Sequence, residues 1–179
     1  GIHAEITNKK PSKQNYILLR LGNVNAALNP AEAYNLKTTS DKIVLTANTP
    51  NGVYNGIQTL LQLMRDNVAV EASEITDWPA FAWRGFMVDV GRNYQSMKLL
   101  KQQIDVMAAY KMNIFHFHPT EDIAWRLQSK LYPQLTNPEF MLRDKGEYYT
   151  EYDLKELIAY CKERYITLIP EIDMPGHSA

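Results

Sequence analysis

From Gly85 onward the chain alternates strand and helix, and that rhythm narrows the fold more than any other feature. Gly85 to Val90 (GFMVDV) reads as a nearly continuous apolar strand, the pattern of a strand covered on both faces. Ser96 stands where it would cap a helix, and Met97, Leu100, Ile104, Met107 and Ala108 then fall on one stripe. Asn113 to His118 (NIFHFH) is a second strand. A long polar loop follows to Thr150, where Thr150-x-x-Asp153 has the spacing of a capping box and Leu154, Leu157, Ile158 and Cys161 make the next stripe. Ile166 to Asp173 (ITLIPEID) is a third strand, with Pro170 removing one ladder hydrogen bond. This alternation implies parallel strands joined by right-handed crossovers, in a (β/α)8 barrel or an open doubly wound sheet. No Gly-rich phosphate loop follows the first strand, which argues against the dinucleotide-binding form of the open sheet. A closed barrel needs eight strands and about 250 residues. On the barrel reading, the expectation is therefore an α/β fold ending in the first three strands of a truncated (β/α)8 (TIM) barrel, the front of a longer enzyme. The alternative is a complete three-stranded α/β domain, which would leave Ile166 to Asp173 with no helix to cover it.

The texture changes near Trp78-Pro79, dividing residues 1–78, expected as a small α+β domain, from residues 79–179, expected as the incomplete barrel. In the first part, Asn15 to Leu21 and Lys42 to Ala47 read as strands separated by turn chemistry. Val53, Ile57, Leu60, Leu61 and Met64 recur at helical spacing, with Asn51 or Asn55 as the expected cap, and Val68 to Ala72 reads as a further strand. Lys+Arg 19 against Asp+Glu 20, without a basic stripe, argues against a nucleic-acid partner. No run approaches the roughly 20 apolar residues that cross a bilayer, so no membrane partner is expected, and the first residues lack the pattern of a signal peptide. Cys161 alone excludes an internal disulfide framework and a cysteine zinc site.

Polar residues gather at the carboxyl ends of the three strands, where parallel α/β proteins carry function. The first ends in Asp89-Val90-Gly91-Arg92, the second in His116-Phe117-His118-Pro119-Thr120-Glu121-Asp122, and the third in Glu171-Ile172-Asp173-Met174-Pro175-Gly176-His177. Two chemistries fit. His116 and His118 alternate along one strand and can share a metal, with Glu121, Asp173 or His177 completing the set for metal-dependent hydrolysis. Alternatively the carboxylates and histidines tune a proton donor for sugar hydrolysis, while Arg92 and an aromatic wall of Trp83 and Trp125 hold the hydroxyls.

The motifs RGFMVDVGR, YKMNIFHFH, GEYYTEYDLKELIAYCKER and IPEIDMPGH, in this order and with DWPAFAWRG before them, make the chain resemble the β-N-acetylhexosaminidases of glycoside hydrolase family 20. The resemblance runs from about residue 15 to the end and implies a small α+β domain ahead of a (β/α)8 catalytic barrel. It also implies removal of terminal β-linked N-acetylglucosamine or N-acetylgalactosamine from glycans with retention, the sugar's own acetamido oxygen acting as nucleophile. No cofactor or metal is implied, and His116 and His118 become structural. Arg92 matches the arginine that holds the outer hydroxyls of the sugar. His177 matches the histidine supporting the catalytic acid, Asp173 the aspartate of the same motif, and Glu121 stands where the family usually has aspartate. Arg84 and Asp89 match motif positions and are expected to pair within the barrel mouth.

Two departures bear on activity: Asn93 follows the arginine where the family usually has histidine, and Glu121 carries its carboxylate one methylene farther than aspartate. The resemblance places the catalytic Asp-Glu pair, general acid included, beyond Ala179, so the chain alone is expected to be inactive. The expected partner is an N-acetylhexosaminide or glycan, with self-association through the truncated sheet edge. A non-catalytic glycan-binding module with its platform near Trp125 is the reading from another class. The resemblance favours a secreted, periplasmic or surface-associated protein.

Overall fold

The computed structural model describes residues 6–8, 15–64 and 70–178. The chain divides into two compact units, Gly1–Ala82 and Trp83–Ala179.

The first unit is a four-stranded mixed sheet with a helix on one face. Strand β1 (Tyr16–Leu21) runs parallel to β3 (Lys42–Ala47), and β2 (Tyr34–Thr38) lies antiparallel between β3 and β4 (Ser73–Asp77). Helix α1 (Pro50–Met64) closes a core of Tyr34, Leu36, Leu45, Ala47 and Leu60, with Val53, Ile57 and Met64 packed against it. The expected stripe of α1 therefore faces the sheet except at Leu61, which is more than half exposed. Its start differs from expectation: Thr49 precedes the helix, its carbonyl accepting from the Val53 amide at 3.1 Å. Asn55 is buried inside the helix and donates to Glu32 at 3.3 Å. Of the strand expected at Val68 to Ala72, Val68 and Ala69 lie outside the described residues; Val70 to Ala72 are not strand, and β4 begins just after them at Ser73. Strand β2 has no strong sequence signal. Its Asn35 and Lys37 point outward and are held only across the sheet, Asn35 to Thr76 at 2.8 Å and Lys37 to Glu74 at 2.7 Å.

The second unit has the expected rhythm. Strands β5 (Gly85–Asp89), β6 (Ile114–His118) and β9 (Thr167–Pro170) are parallel in the order β5-β6-β9, with helix α2 (Met97–Ala109) in the first crossover and α3 (Glu151–Lys162) in the second. Both caps form as their spacing implies. The Ser96 hydroxyl accepts from the Leu99 amide, and Thr150 and Asp153 make the reciprocal bonds of a capping box. Leu100, Ile104, Met107 and Ala108 of α2, and Leu157 and Cys161 of α3, are buried, whereas Ile158 is half exposed. The long loop is not featureless. It holds a two-stranded ribbon, β7 (Thr120–Glu121) with β8 (Ala124–Trp125), and single turns at Pro133–Thr136 and Pro138–Phe140. Among the described residues no helix is long and apolar enough to cross a membrane.

Burial of Cys161 pushes its thiol up to about 12, so almost no thiolate exists at neutral pH. The native protein is expected to resist a thiol-reactive disulfide reagent that titrates one equivalent after denaturation. Rapid labelling of the folded chain would show that α3 opens readily.

Candidate functional site

The site is built from the carboxyl ends of β5, β6 and β9. After β5 the backbone turns and docks on the end of β6, the Val90 and Gly91 amides both donating to the His118 carbonyl at 3.0 and 3.2 Å. Gly91 permits the approach. A Cβ at this position would stand 2.8 Å from the Cβ of Glu121, closer than real atoms pack, and a tight 3.1 Å from its backbone nitrogen. The turn then presents Arg92, whose amide donates to Asp89 Oδ1 at 3.0 Å and whose guanidinium pairs with both Asp89 and Glu121. The hydrogen bond to Asp89, above all, raises the proton affinity of that guanidinium.

Glu121 is the hub. Its side chain is 4 % exposed, and Oε1 meets the Arg92 guanidinium, His177 Nδ1 at 2.6 Å and His118 Nε2 at 3.7 Å. A carboxylate this buried requires a positive partner, and the Arg92 guanidinium supplies it. His118 is equally buried; its Nδ1 stands 3.2 Å from Glu171 Oε2, an oxygen that also pairs with His116 Nε2. Neither nitrogen of His118 meets its carboxylate along a good hydrogen-bond direction. The His118 imidazole, and after it the charge of both histidines, holds the Glu171 carboxyl below the usual carboxylate range. Acids and imidazoles thus alternate from His116 through Glu171, His118 and Glu121 to His177. Asp173 places its carboxylate within 4.8 Å of the ligand atoms of His118 and Glu171.

Three of the residues singled out from sequence, Arg92, Glu121 and His177, meet at one carboxylate oxygen. Glu171 was missed as a site residue. Register would have found it: His116 pairs with Ile169, so two residues on, Glu171 falls beside His118. Two expectations are corrected. Asp89 pairs with Arg92 rather than Arg84, because Arg84 precedes β5 at its opposite end, where its Nε donates to the Lys111 carbonyl at 2.7 Å. Trp83 precedes Arg84 at that same end and is exposed, five strand residues or roughly 16 Å from the carboxyl ends, too far to wall the site. Trp125 does lie near, opposite Thr120 in the ribbon, its indole nitrogen donating to the Leu127 carbonyl at 2.9 Å.

Two sets, His118 with Glu121 and His177, and His118 with Glu171 and Asp173, bring three donor atoms to the spacing of metal ligands; His116 belongs to neither. In the first set the Arg92 guanidinium already holds the Glu121 oxygen that a cation would need.

Glu171 also gives the fold a pH dependence. Its carboxyl is more acidic folded than unfolded, so its contribution is fully present above the unfolded value, about 4.3, and fades as pH falls through the lower folded value. Urea midpoints measured from pH 7 down to pH 3 are expected to fall more steeply for the wild type than for Glu171→Gln. Parallel curves would remove Glu171 from the account.

Parallel strands joined through helices, with charged groups at their carboxyl ends, define an α/β protein whose second unit has the geometry of the start of a (β/α) barrel. Residues 81–179 match the glycosyl hydrolase family 20 catalytic domain and residues 1–78 match domain 2 of the same family, so the chain belongs to glycosyl hydrolase family 20. It is 39 % identical over 163 residues to a β-hexosaminidase of Porphyromonas gingivalis, covering 82 % of this chain and 21 % of that protein. Against a β-hexosaminidase of Vibrio furnissii the identity is 40 % over 163 residues, with 82 % and 27 % covered. Among solved structures, a Flavobacterium johnsoniae chitobiase superposes with a TM-score of 0.82 at 34 % identity, over 95 % of this chain and 26 % of that one. The chain thus spans about a fifth to a quarter of the length of these relatives.

Proposed function

We propose that the protein carrying this chain is a retaining β-N-acetylhexosaminidase that removes terminal N-acetylglucosamine or N-acetylgalactosamine from glycans. The observation that carries the reading is the convergence of Arg92 and His177 on the buried Glu121 carboxylate at the strand ends. The β-hexosaminidase relatives named above support it, as does the likeness, at 33 % identity and a TM-score of 0.78, to a Vibrio harveyi exo-β-N-acetylglucosaminidase solved with N-acetylglucosamine.

In this reading residues 1–78 form an accessory α+β domain and residues 79–179 begin the catalytic barrel. Arg92, half exposed beside the buried acid, offers its remaining donors to the outer hydroxyls of the sugar as a fixed fork. Glu121 orients His177 through Nδ1, leaving the other imidazole nitrogen to support the general acid. Asp173 and His118 maintain the charge pattern behind them. The acetamido oxygen of the substrate attacks the anomeric carbon, so no enzyme nucleophile is required. The acid and the aspartate that orients the acetamido group come from a strand beyond Ala179.

Nitrophenol release from nitrophenyl β-N-acetylglucosaminide tests this with the chain as given and with the chain extended through a complete barrel. Activity is expected only in the extended protein; silence from a folded extended protein would overturn the reading. The metal-dependent alternative would be restored by stoichiometric zinc in the pure protein. β5 and β9 are the outer strands of the three-stranded sheet among the described residues, which supports self-association of the chain. A monomer in sedimentation would count against that.

A further inference from the structure

Arg126 is the largest fully buried side chain among the described residues and stands outside the row of acids and histidines. Its Nε donates to the Val90 carbonyl at 2.6 Å and approaches that of Gly91 at 3.2 Å. Nη1 donates to the carbonyls of Glu147 at 2.8 Å and Asp144 at 3.2 Å, and Nη2 to that of Arg143 at 3.1 Å, with Asp144 Oδ2 3.5 Å away as counter-charge. Its backbone adds two bonds, donating to the Pro119 carbonyl at 2.9 Å and accepting from the Tyr149 amide at 2.8 Å. Burying a guanidinium is costly unless every donor is met, and here each of its nitrogens is.

The acceptors lie on two segments that meet at one turn. Val90 and Gly91 immediately precede Arg92. Residues 143–149 reach back to the same turn: Arg143 Nη1 donates to Asn93 Oδ1 at 2.7 Å, the Tyr94 amide donates to Asp144 Oδ2 at 2.9 Å, and the Tyr149 hydroxyl donates to the Gln95 carbonyl at 2.7 Å. One guanidinium therefore fixes both the turn and the loop that braces it. Arg92 itself is long and half exposed, so the place of its guanidinium depends on where its backbone is held.

We propose that Arg126 is a positioning residue for Arg92, holding the 90–95 turn so that the Arg92 guanidinium bridges Asp89 and Glu121 with donors left over for substrate. The inference rests on the reading of Arg92 as the hydroxyl-binding arginine. It also explains how Asn93 is accommodated where the family usually has histidine: its side-chain oxygen is captured by Arg143, in the loop that Arg126 orders. Lysine cannot replace Arg126, since a single ammonium cannot span carbonyls on both segments.

The test uses the complete enzyme and nitrophenyl β-N-acetylglucosaminide. Arg126→Met is expected to raise KM on the order of tenfold with a smaller change in kcat, and to raise it no further when Arg92 is already alanine. If Arg126→Met does not fold, Arg126→Lys takes its place in the same cycle. Amide exchange across residues 89–95 is expected to quicken in either variant. An unchanged KM, additive KM effects in the double variant, or unchanged exchange in the turn would each overturn the proposal. An inactive wild type would sink the function reading alone, and the exchange measurement would still decide whether Arg126 holds the turn.

Discussion

Glu121→Ala in the complete enzyme is expected to lower kcat/KM on the order of 10²-fold or more. One buried oxygen holds both the Arg92 guanidinium and His177 Nδ1, and misplacing groups that position a substrate can cost on the order of 10²-fold. Without the carboxylate, Arg92 loses the buried one of its two ion-pair partners, and His177 is released from the orientation that lets it support the acid. Glu121→Asp is the sharper variant. It keeps the charge but withdraws it by about an ångström, a displacement that can by itself cost on the order of 10²-fold. Steady-state kinetics on nitrophenyl β-N-acetylglucosaminide distinguishes the cases. An alanine variant as active as the wild type would mean that the Glu121 cluster is structural and the chemistry lies elsewhere.

The second large effect is expected at Gly91, which touches no substrate in this account. In Gly91→Ala the new methyl group meets the Cβ and backbone nitrogen of Glu121, neither of which can swing aside as the end of a flexible side chain would. The strand ends must part, at a cost of about 1–3 kcal/mol for an overpacked contact. Because the same backbone carries Arg92 on one side and Glu121 on the other, activity of the complete enzyme is expected to fall with stability. Gly176→Ala is the control, since nothing lies within 4 Å of a Cβ there, and its stability should stay within about 0.5 kcal/mol of wild type. Urea unfolding of the two variants side by side reads the contrast. Equal midpoints would show that the turn yields freely.

What could be read from sequence was local. The caps at Ser96 and Thr150 depend on residues within one helical turn, and the stripes of α2 and α3 on a spacing that any window contains, so both were legible. The parallel strands of the second unit were legible for the same reason, because each is a short apolar run bounded by turn residues. Strand β2 was not. Its five residues include Asn35 and Lys37, and they are extended because β3 and β4 supply hydrogen bonds on either side, which no pattern within the strand records. Val70 to Ala72 show the converse, residues that read as strand from sequence, whereas pairing with β2 starts only at Ser73.

The same division runs through the site. Sequence by itself determined which residues stand at the carboxyl ends of the strands and, through the motifs they form, the family to which the chain belongs. Only the tertiary structure decided their long-range partners: His177 on Glu121, Glu171 between His116 and His118, and Arg126 beneath the Arg92 turn. The reason is physical. A cap or a stripe is fixed by neighbours a few residues away along the chain, but a buried charge is stabilised by whichever opposite charge or carbonyl the packing brings within about 3 Å. Across parallel strands joined by helices, those partners lie tens of residues apart.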